Sequence, residues 1–261
     1  MTATSPQTPP NRPLEPQKRA LIVGASRGLG AALAQELGRA GYHLALVARN
    51  QDNLEKVAQT VKTATDLTVL TYSHDVTHFD QTPALFDTIV TDLGGLDLIV
   101  YVAGIMPPTD LGEFNTPQDL DIMRVNTLGA IAWLNPAALR FQRAGHGHIV
   151  GISSIAGDRG RIGFPAYSTS KAALTTYLEA LRNRLTRHGV TVTTIKPGMM
   201  ETDMLAHVTK KMWPVTPRYA AEIITRAILK KRQTIYVPAR WRLVALVIQH
   251  IPSIIFRRLN I

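Results

Sequence analysis

Arg19-Ala20-Leu21-Ile22-Val23-Gly24-Ala25-Ser26-Arg27-Gly28-Leu29-Gly30-Ala31-Ala32-Leu33 is the stretch from which the fold is read. Its apolar run ending at Val23 reads as a buried strand, and Ala31 to Gly38 carries a helical pattern. Gly24, Gly28 and Gly30 lie between strand and helix. Glycines there let the backbone turn sharply and approach a diphosphate, which then rests on the helix N-terminus. Ser26, Arg27 and Leu29 complete that loop. The G-x3-G-x-G spacing differs from the G-x-G-x-x-G dinucleotide fingerprint, and a glycine-rich turn with only a packing role is the plainer alternative. The strand and helix flanks favour dinucleotide binding.

Residues 43–48 read as a second strand, with Arg49 at its carboxyl end. In a doubly wound sheet this position lies near the adenosine ribose, where a carboxylate favours a free 2′-hydroxyl and an arginine suits a 2′-phosphate. Arg27 adds a second cation. The expected cofactor is therefore NADP(H) in preference to NAD(H). Further strands are predicted over 67–73, 96–102, 147–152, 190–195 and 234–237. They alternate with helices over 53–62, 83–93, 116–143, 164–187 and 218–230. This pattern predicts an α/β fold: a Rossmann-like, doubly wound parallel sheet of about seven strands with helices on both faces, in a single domain. Ligands bind such sheets beyond the carboxyl ends of the strands. The glycine loop, Arg49, Asp75, Gly104, Ser154 and Pro197 all fall at predicted strand ends of that kind.

Tyr167 and Lys171 stand four residues apart on a predicted helix and share one face. An ammonium that close favours the phenolate, so the Tyr167 pKa is expected to fall from about 10 toward working pH. Ser154 supplies a second hydroxyl for the same oxygen. These features in this order resemble the short-chain dehydrogenase/reductase family over about residues 18–240. The motifs that carry the resemblance are the glycine loop, Asp75, Ala103-Gly104, Asn126, Ser154, Tyr167, Lys171, and Pro197-Gly198 with Thr202. Ser154 precedes Tyr167 by 13 residues, the family's usual separation.

The resemblance implies a carbonyl–alcohol oxidoreductase with an NAD(P) cofactor and a small-molecule substrate. Tyr167 would be the acid–base. Lys171 would lower its pKa and bond the nicotinamide ribose, and Ser154 would orient the substrate oxygen. Asn126 would break its helix and hold a water of the proton relay. Asp75, with Val76 beside it, would meet the adenine; Gly104 would let the cofactor approach; Pro197, Gly198 and Thr202 would line the nicotinamide end, Thr202 at the carboxamide. A homodimer or homotetramer through the two long helices is implied as well. One departure is plain: the family's Asn-Asn-Ala-Gly is Tyr101-Val102-Ala103-Gly104 here, which puts the local sheet–loop bonding in question. A non-catalytic NADP-binding sensor or scaffold on the same fold is the alternative of a different class.

The 261 residues contain no cysteine, which excludes disulfides, thiolate metal sites and cysteine nucleophiles. His146 and His148 have no third ligand near them in sequence, so no metal site is expected. Residues 1–17 hold five prolines and read as a disordered leader rather than a signal peptide; a cytoplasmic location is expected. The core domain is expected over 18–239. Met199, Met200, Met204, Met212, Trp213 and Pro214 lie where a substrate lid is expected, either as ordinary packing or as a flexible cover for an apolar substrate.

The net charge of +10 sits at one end: from Lys210 onward eleven basic residues face a single acid, Glu222. Residues 240–261 predict a basic amphipathic helix kinked at Pro252, too short to span a bilayer. It either lies on an anionic membrane surface, placing the protein at the inner face of a membrane, or packs on its own domain or a sister subunit. Nucleic acid is not expected as a partner, since no recognition motif accompanies the charge.

Overall fold

The computed structural model describes residues 17–205, 208 and 212–259. Apart from Gln17, the expected leader lies outside the described residues. Seven strands, β1 (Arg19–Val23), β2 (His43–Ala48), β3 (Val69–Ser73), β4 (Leu98–Tyr101), β5 (Gly147–Ile152), β6 (Val190–Pro197) and β7 (Thr234–Val237), form one parallel sheet in the order 3-2-1-4-5-6-7. The order reverses between β1 and β4, where connections leave in opposite directions and open a crevice at the carboxyl edge.

The helices are α1 (Gly28–Arg39), α2 (Gln51–Ala64), α3 (Thr82–Asp92), α4 (Thr116–Met123), α5 (Gly129–Ala144), α6 (Pro165–Leu185), α7 (Pro217–Leu229), α8 (Trp241–His250) and α9 (Ser253–Phe256). Leu29, Leu33 and Leu37 recur every fourth residue of α1 and are buried, so α1 presents one apolar stripe to the sheet. Beside α2 and α7 it closes one core, with Leu54, Val57, Ile224 and Ile228. The opposite face is filled by Phe86 from α3, Trp133 and Phe141 from α5, and Leu174 and Leu178 from α6. With both faces covered, the strands carry near-continuous apolar runs.

The predicted helix over 116–143 is interrupted. Arg124–Leu128 is a π-helical turn between α4 and α5, and it contains Asn126. The buried Tyr101 hydroxyl donates to the Val125 carbonyl at 2.6 Å, tying β4 to this turn. The departure at Tyr101-Val102 thus has its own bonding: Val102 and Ala103 donate their backbone N–H groups to the Val23 carbonyl at 2.8 and 2.9 Å.

His148, on β5, bonds Thr193 on β6 through Nε2 at 2.7 Å. Burial, with Lys231 adding to it, drives its imidazole down to about 4. The unfolded chain takes up this proton first as pH falls, near the ordinary 6.5. The stability held by the neutral ring is therefore complete above that value and lost progressively down to about pH 4, a loss of about 3 kcal/mol. In His148→Asn, urea unfolding should show an acid loss over this window smaller by about that amount; an unchanged loss contradicts the assignment.

Candidate active site

The carboxyl edge of the sheet opens into a cleft of about 630 Å³. Every sequence-predicted site residue except Asn126 lines it, and Asn126 stands directly behind it. At one end is the glycine loop. Gly24 has φ +97° and its backbone N–H donates to the Val47 carbonyl at 2.7 Å. A side chain there would come within 2.5 Å of the Ala103 backbone nitrogen. Only glycine permits this contact between the loop and the end of β4. The Gly30 position is likewise closed to a Cβ by the Gly24 carbonyl. This close-set cradle at the N-terminus of α1 fits a dinucleotide diphosphate.

Arg49 follows β2 with its side chain 69% exposed, and its guanidinium lies 3.8 Å from Asp75. Burial works to raise the Asp75 carboxyl. The Thr77 backbone N–H at 2.9 Å and hydroxyl at 2.8 Å, with Arg49 and His78, outweigh it and hold the group below the usual carboxylate range. Arg27 does not join Arg49 as a free second cation. It pairs with Asp203 at 2.9 Å, across both rims of the cleft. Both side chains are exposed, so the pair contributes at most about 1 kcal/mol and is open to exchange. Asn50, which caps α2 through the Asn53 N–H at 2.8 Å, and Asn53 also line this end; spacing alone did not single them out.

At the other end Ser154 leaves β5 in extended conformation, its Oγ accepting from the Ala156 N–H at 3.0 Å. Tyr167 and Lys171 come from the first turns of α6. The buried Lys171 ammonium donates to the Ile152 carbonyl at 2.9 Å and lies 5.7 Å from the Tyr167 ring centre. Asn126 uses its whole amide on the protein. Oδ1 accepts from the Ile105 N–H at 2.8 Å, and Nδ2 donates to the Ile105 carbonyl and Ser170 Oγ at 3.0 Å each. No side-chain donor is left over for a water.

The expected fall of the Tyr167 pKa is not what the structure gives. Burial pushes the hydroxyl above its ordinary value, with the Ser154 hydroxyl and the Arg161 guanidinium pulling the other way. Burial also brings the Lys171 ammonium down to about 8. Lys171 donates to Ile152, and the charge that pulls the Tyr167 hydroxyl down is that of Arg161, which no motif marked. Within the expected lid, Met199, Met200 and Met204 line the cleft. Met212 and Trp213 do not: both are about half exposed, and Trp213 stacks edge-on against Trp241 at 5.8 Å.

The family model for short chain dehydrogenases matches residues 18–213. The chain belongs to the short-chain dehydrogenase/reductase family. Curated relatives of this dehydrogenase include an uncharacterized oxidoreductase of Myxococcus xanthus, 36% identical over 72% of this chain and 74% of that protein. Another, an uncharacterized oxidoreductase of Mycobacterium tuberculosis, is 30% identical over 85% and 88%. Among solved structures, a short-chain type dehydrogenase/reductase of Mycobacterium ulcerans superimposes with a TM-score of 0.76 at 25% identity, covering 85% of this chain and 88% of that one. This dehydrogenase is thus an oxidoreductase of a family that uses NAD(P) cofactors.

Its C-terminal segment packs on its own domain. Trp241, 3% exposed, sits in a small core with Ile155 and Ala245 and closes against Gly198, where any Cβ would collide with its indole. The Arg159 guanidinium donates to the Ile248 and Gln249 carbonyls at 2.8 and 3.2 Å and covers the Phe256 ring at 4.1 Å. The helix predicted over 240–261 is divided at Ile251-Pro252 into α8 and α9. Leu243, Leu246, Val247, Ile254 and Ile255 remain exposed. Among the described residues no helix is long and apolar enough to cross a membrane.

Proposed function

We propose that this short-chain dehydrogenase/reductase interconverts a carbonyl and a secondary alcohol on a substrate with an apolar body, using NADP(H) in preference to NAD(H). The observation that carries the reading is the meeting of Ser154, Tyr167 and Lys171 in one cleft with the glycine loop. The bound dinucleotide supplies or accepts a hydride. The Gly24–Gly30 turn would hold its diphosphate, and Asp75 and Val76 its adenine. Pro197, Gly198 and Thr202 would hold its nicotinamide end, with Gly104 leaving room beside Lys171.

Tyr167 donates the proton to the carbonyl oxygen on reduction and takes it back on oxidation. Ser154 fixes that oxygen by a second hydrogen bond. Lys171 holds a positive charge behind Tyr167 and restores its proton. Met199, Met200 and Met204 supply the adaptable apolar wall.

Arg49 carries the cofactor preference. Fluorescence titration should give NADPH at least about tenfold tighter than NADH, the worth of one charge-assisted bond to a phosphate. Arg49→Ala should bring the two affinities together. Tighter NADH binding by the intact protein contradicts the assignment.

The exposed outer face of α4–α5, with Leu120, Leu128 and Leu139, supports a homo-oligomer. The outward apolar face of α8 and α9, flanked by Arg242, Arg257 and Arg258, supports contact with an anionic membrane surface at a cytoplasmic face. On anionic liposomes the intact protein should float, and the Leu246→Gln/Val247→Gln double variant should not. Failure of the intact protein to float removes the membrane contact.

A further inference from the structure

Arg159 and Arg161 flank Gly160 and lead opposite lives. Arg159 is consumed by the C-terminal segment. Arg161 lines the catalytic cleft beside Tyr167 and is only partly exposed. Its Nε is cut off from solvent and has no hydrogen-bond partner. The neighbouring Asp158 carboxylate steadies its charge from a distance but makes no hydrogen bond to it. Asp158 is bonded to Lys196, an ion pair in which its side chain is 3% exposed, and also accepts from the Tyr236 hydroxyl at 3.0 Å. Of the other cleft carboxylates, Asp203 is engaged by Arg27 and Asp75 by Thr77 and Arg49, while Glu201 is exposed to solvent. A guanidinium partly withdrawn from water, its buried Nε without an acceptor among the described residues, is costly to keep. Its planar donors match a carboxylate in two-point fashion. Phe164, Met199 and Met204 give the same cleft an apolar wall.

We propose that Arg161 is the substrate-reading residue of this site and that the substrate is an oxo acid or the matching hydroxy acid. Its carboxylate pairs with Arg161 and its apolar chain lies along Phe164 and the methionines. This rests on the carbonyl–alcohol reading above and narrows it from an apolar substrate to an apolar-bodied anion.

The test is isothermal titration of the intact protein, with NADP⁺ present, using octanoate and its neutral counterpart octanamide. Octanoate should bind about ten- to a hundredfold tighter, the range of a charge-assisted bond. Arg161→Met should erase that ratio, and Arg161→Lys should keep part of it. Equal affinity for the two probes in the wild type, or an unchanged ratio in Arg161→Met, overturns the proposal. So does a weakening confined to NADPH, which would assign Arg161 to the cofactor. Because binding is read without turnover, the two readings separate. If octanoate discrimination depends on Arg161 but no carbonyl compound is reduced, the acid site stands and the reductase reading falls.

Discussion

Tyr167→Phe is expected to lower carbonyl reduction by about 10²–10⁴-fold, the usual contribution of a positioned proton donor. The ring stays, so its packing in the first turn of α6 is kept. Only the hydroxyl beside Ser154 is lost, and with it the proposed proton donor to the substrate oxygen. Burial holds the Tyr167 hydroxyl protonated above its ordinary pKa, which suits the donor needed for reduction. NADPH affinity should change by less than about threefold, because the glycine loop and Arg49 carry most of it. Stopped-flow measurement of NADPH oxidation beside a cofactor titration checks both halves. A variant that turns over at the wild-type rate removes Tyr167 from the chemistry.

Trp241→Ala should cost about 3–5 kcal/mol in urea unfolding, the range for emptying a large buried aromatic site. Trp241 fills the space over Gly198 and packs with Ile155, the residue after Ser154. The cavity therefore opens directly behind Ser154 and the loop that carries Met199. Turnover should fall along with stability, although Trp241 touches neither substrate nor cofactor. Trp241→Phe, which refills most of the volume, should recover more than half of the loss. A cost below about 1 kcal/mol would mean the C-terminal segment is only loosely attached.

The strands were legible because a parallel sheet covered on both faces needs unbroken apolar runs, and β5 and β7 fall where those runs stand. Helix interiors followed from periodicity. The interruption at Arg124–Leu128 did not, because a π turn adds one residue to a helix without changing its composition. Only the family resemblance placed a break at Asn126. The meeting of Ser154, Tyr167 and Lys171 was legible from motif order. The electrostatics around Tyr167 were not: spacing puts Lys171 near the ring but is blind to burial and to the Arg161 guanidinium beside the hydroxyl. In the same way Arg159 and Arg161 are equivalent in sequence. What separates them is that one meets the C-terminal carbonyls of α8 and the other meets the cleft.

Charge placement pointed to the C-terminal end as the unusual region, and its inner face settles part of that reading. Trp241 and Ala245, with Val244 against them, form one face that seats on the domain. The arginines and the outward leucines stay exposed. The proposed membrane contact is thus compatible with packing on the domain, since the exposed and the seated residues of α8 lie on opposite faces.

The chemistry proposed for the cleft is hydride transfer between dinucleotide and substrate with Tyr167 handling the proton. It is tested most directly by isotope transfer. The intact protein is given NADPH deuterated at the nicotinamide C4, in each face-specific form, with a panel of oxo acids and neutral ketones, and the products are read by mass spectrometry. The expected products are alcohols carrying one deuterium from one face only, with none from Tyr167→Phe within the same time. Tight NADPH binding with no label transfer from either face, across the whole panel, would contradict it and favour a cofactor-binding protein without this chemistry.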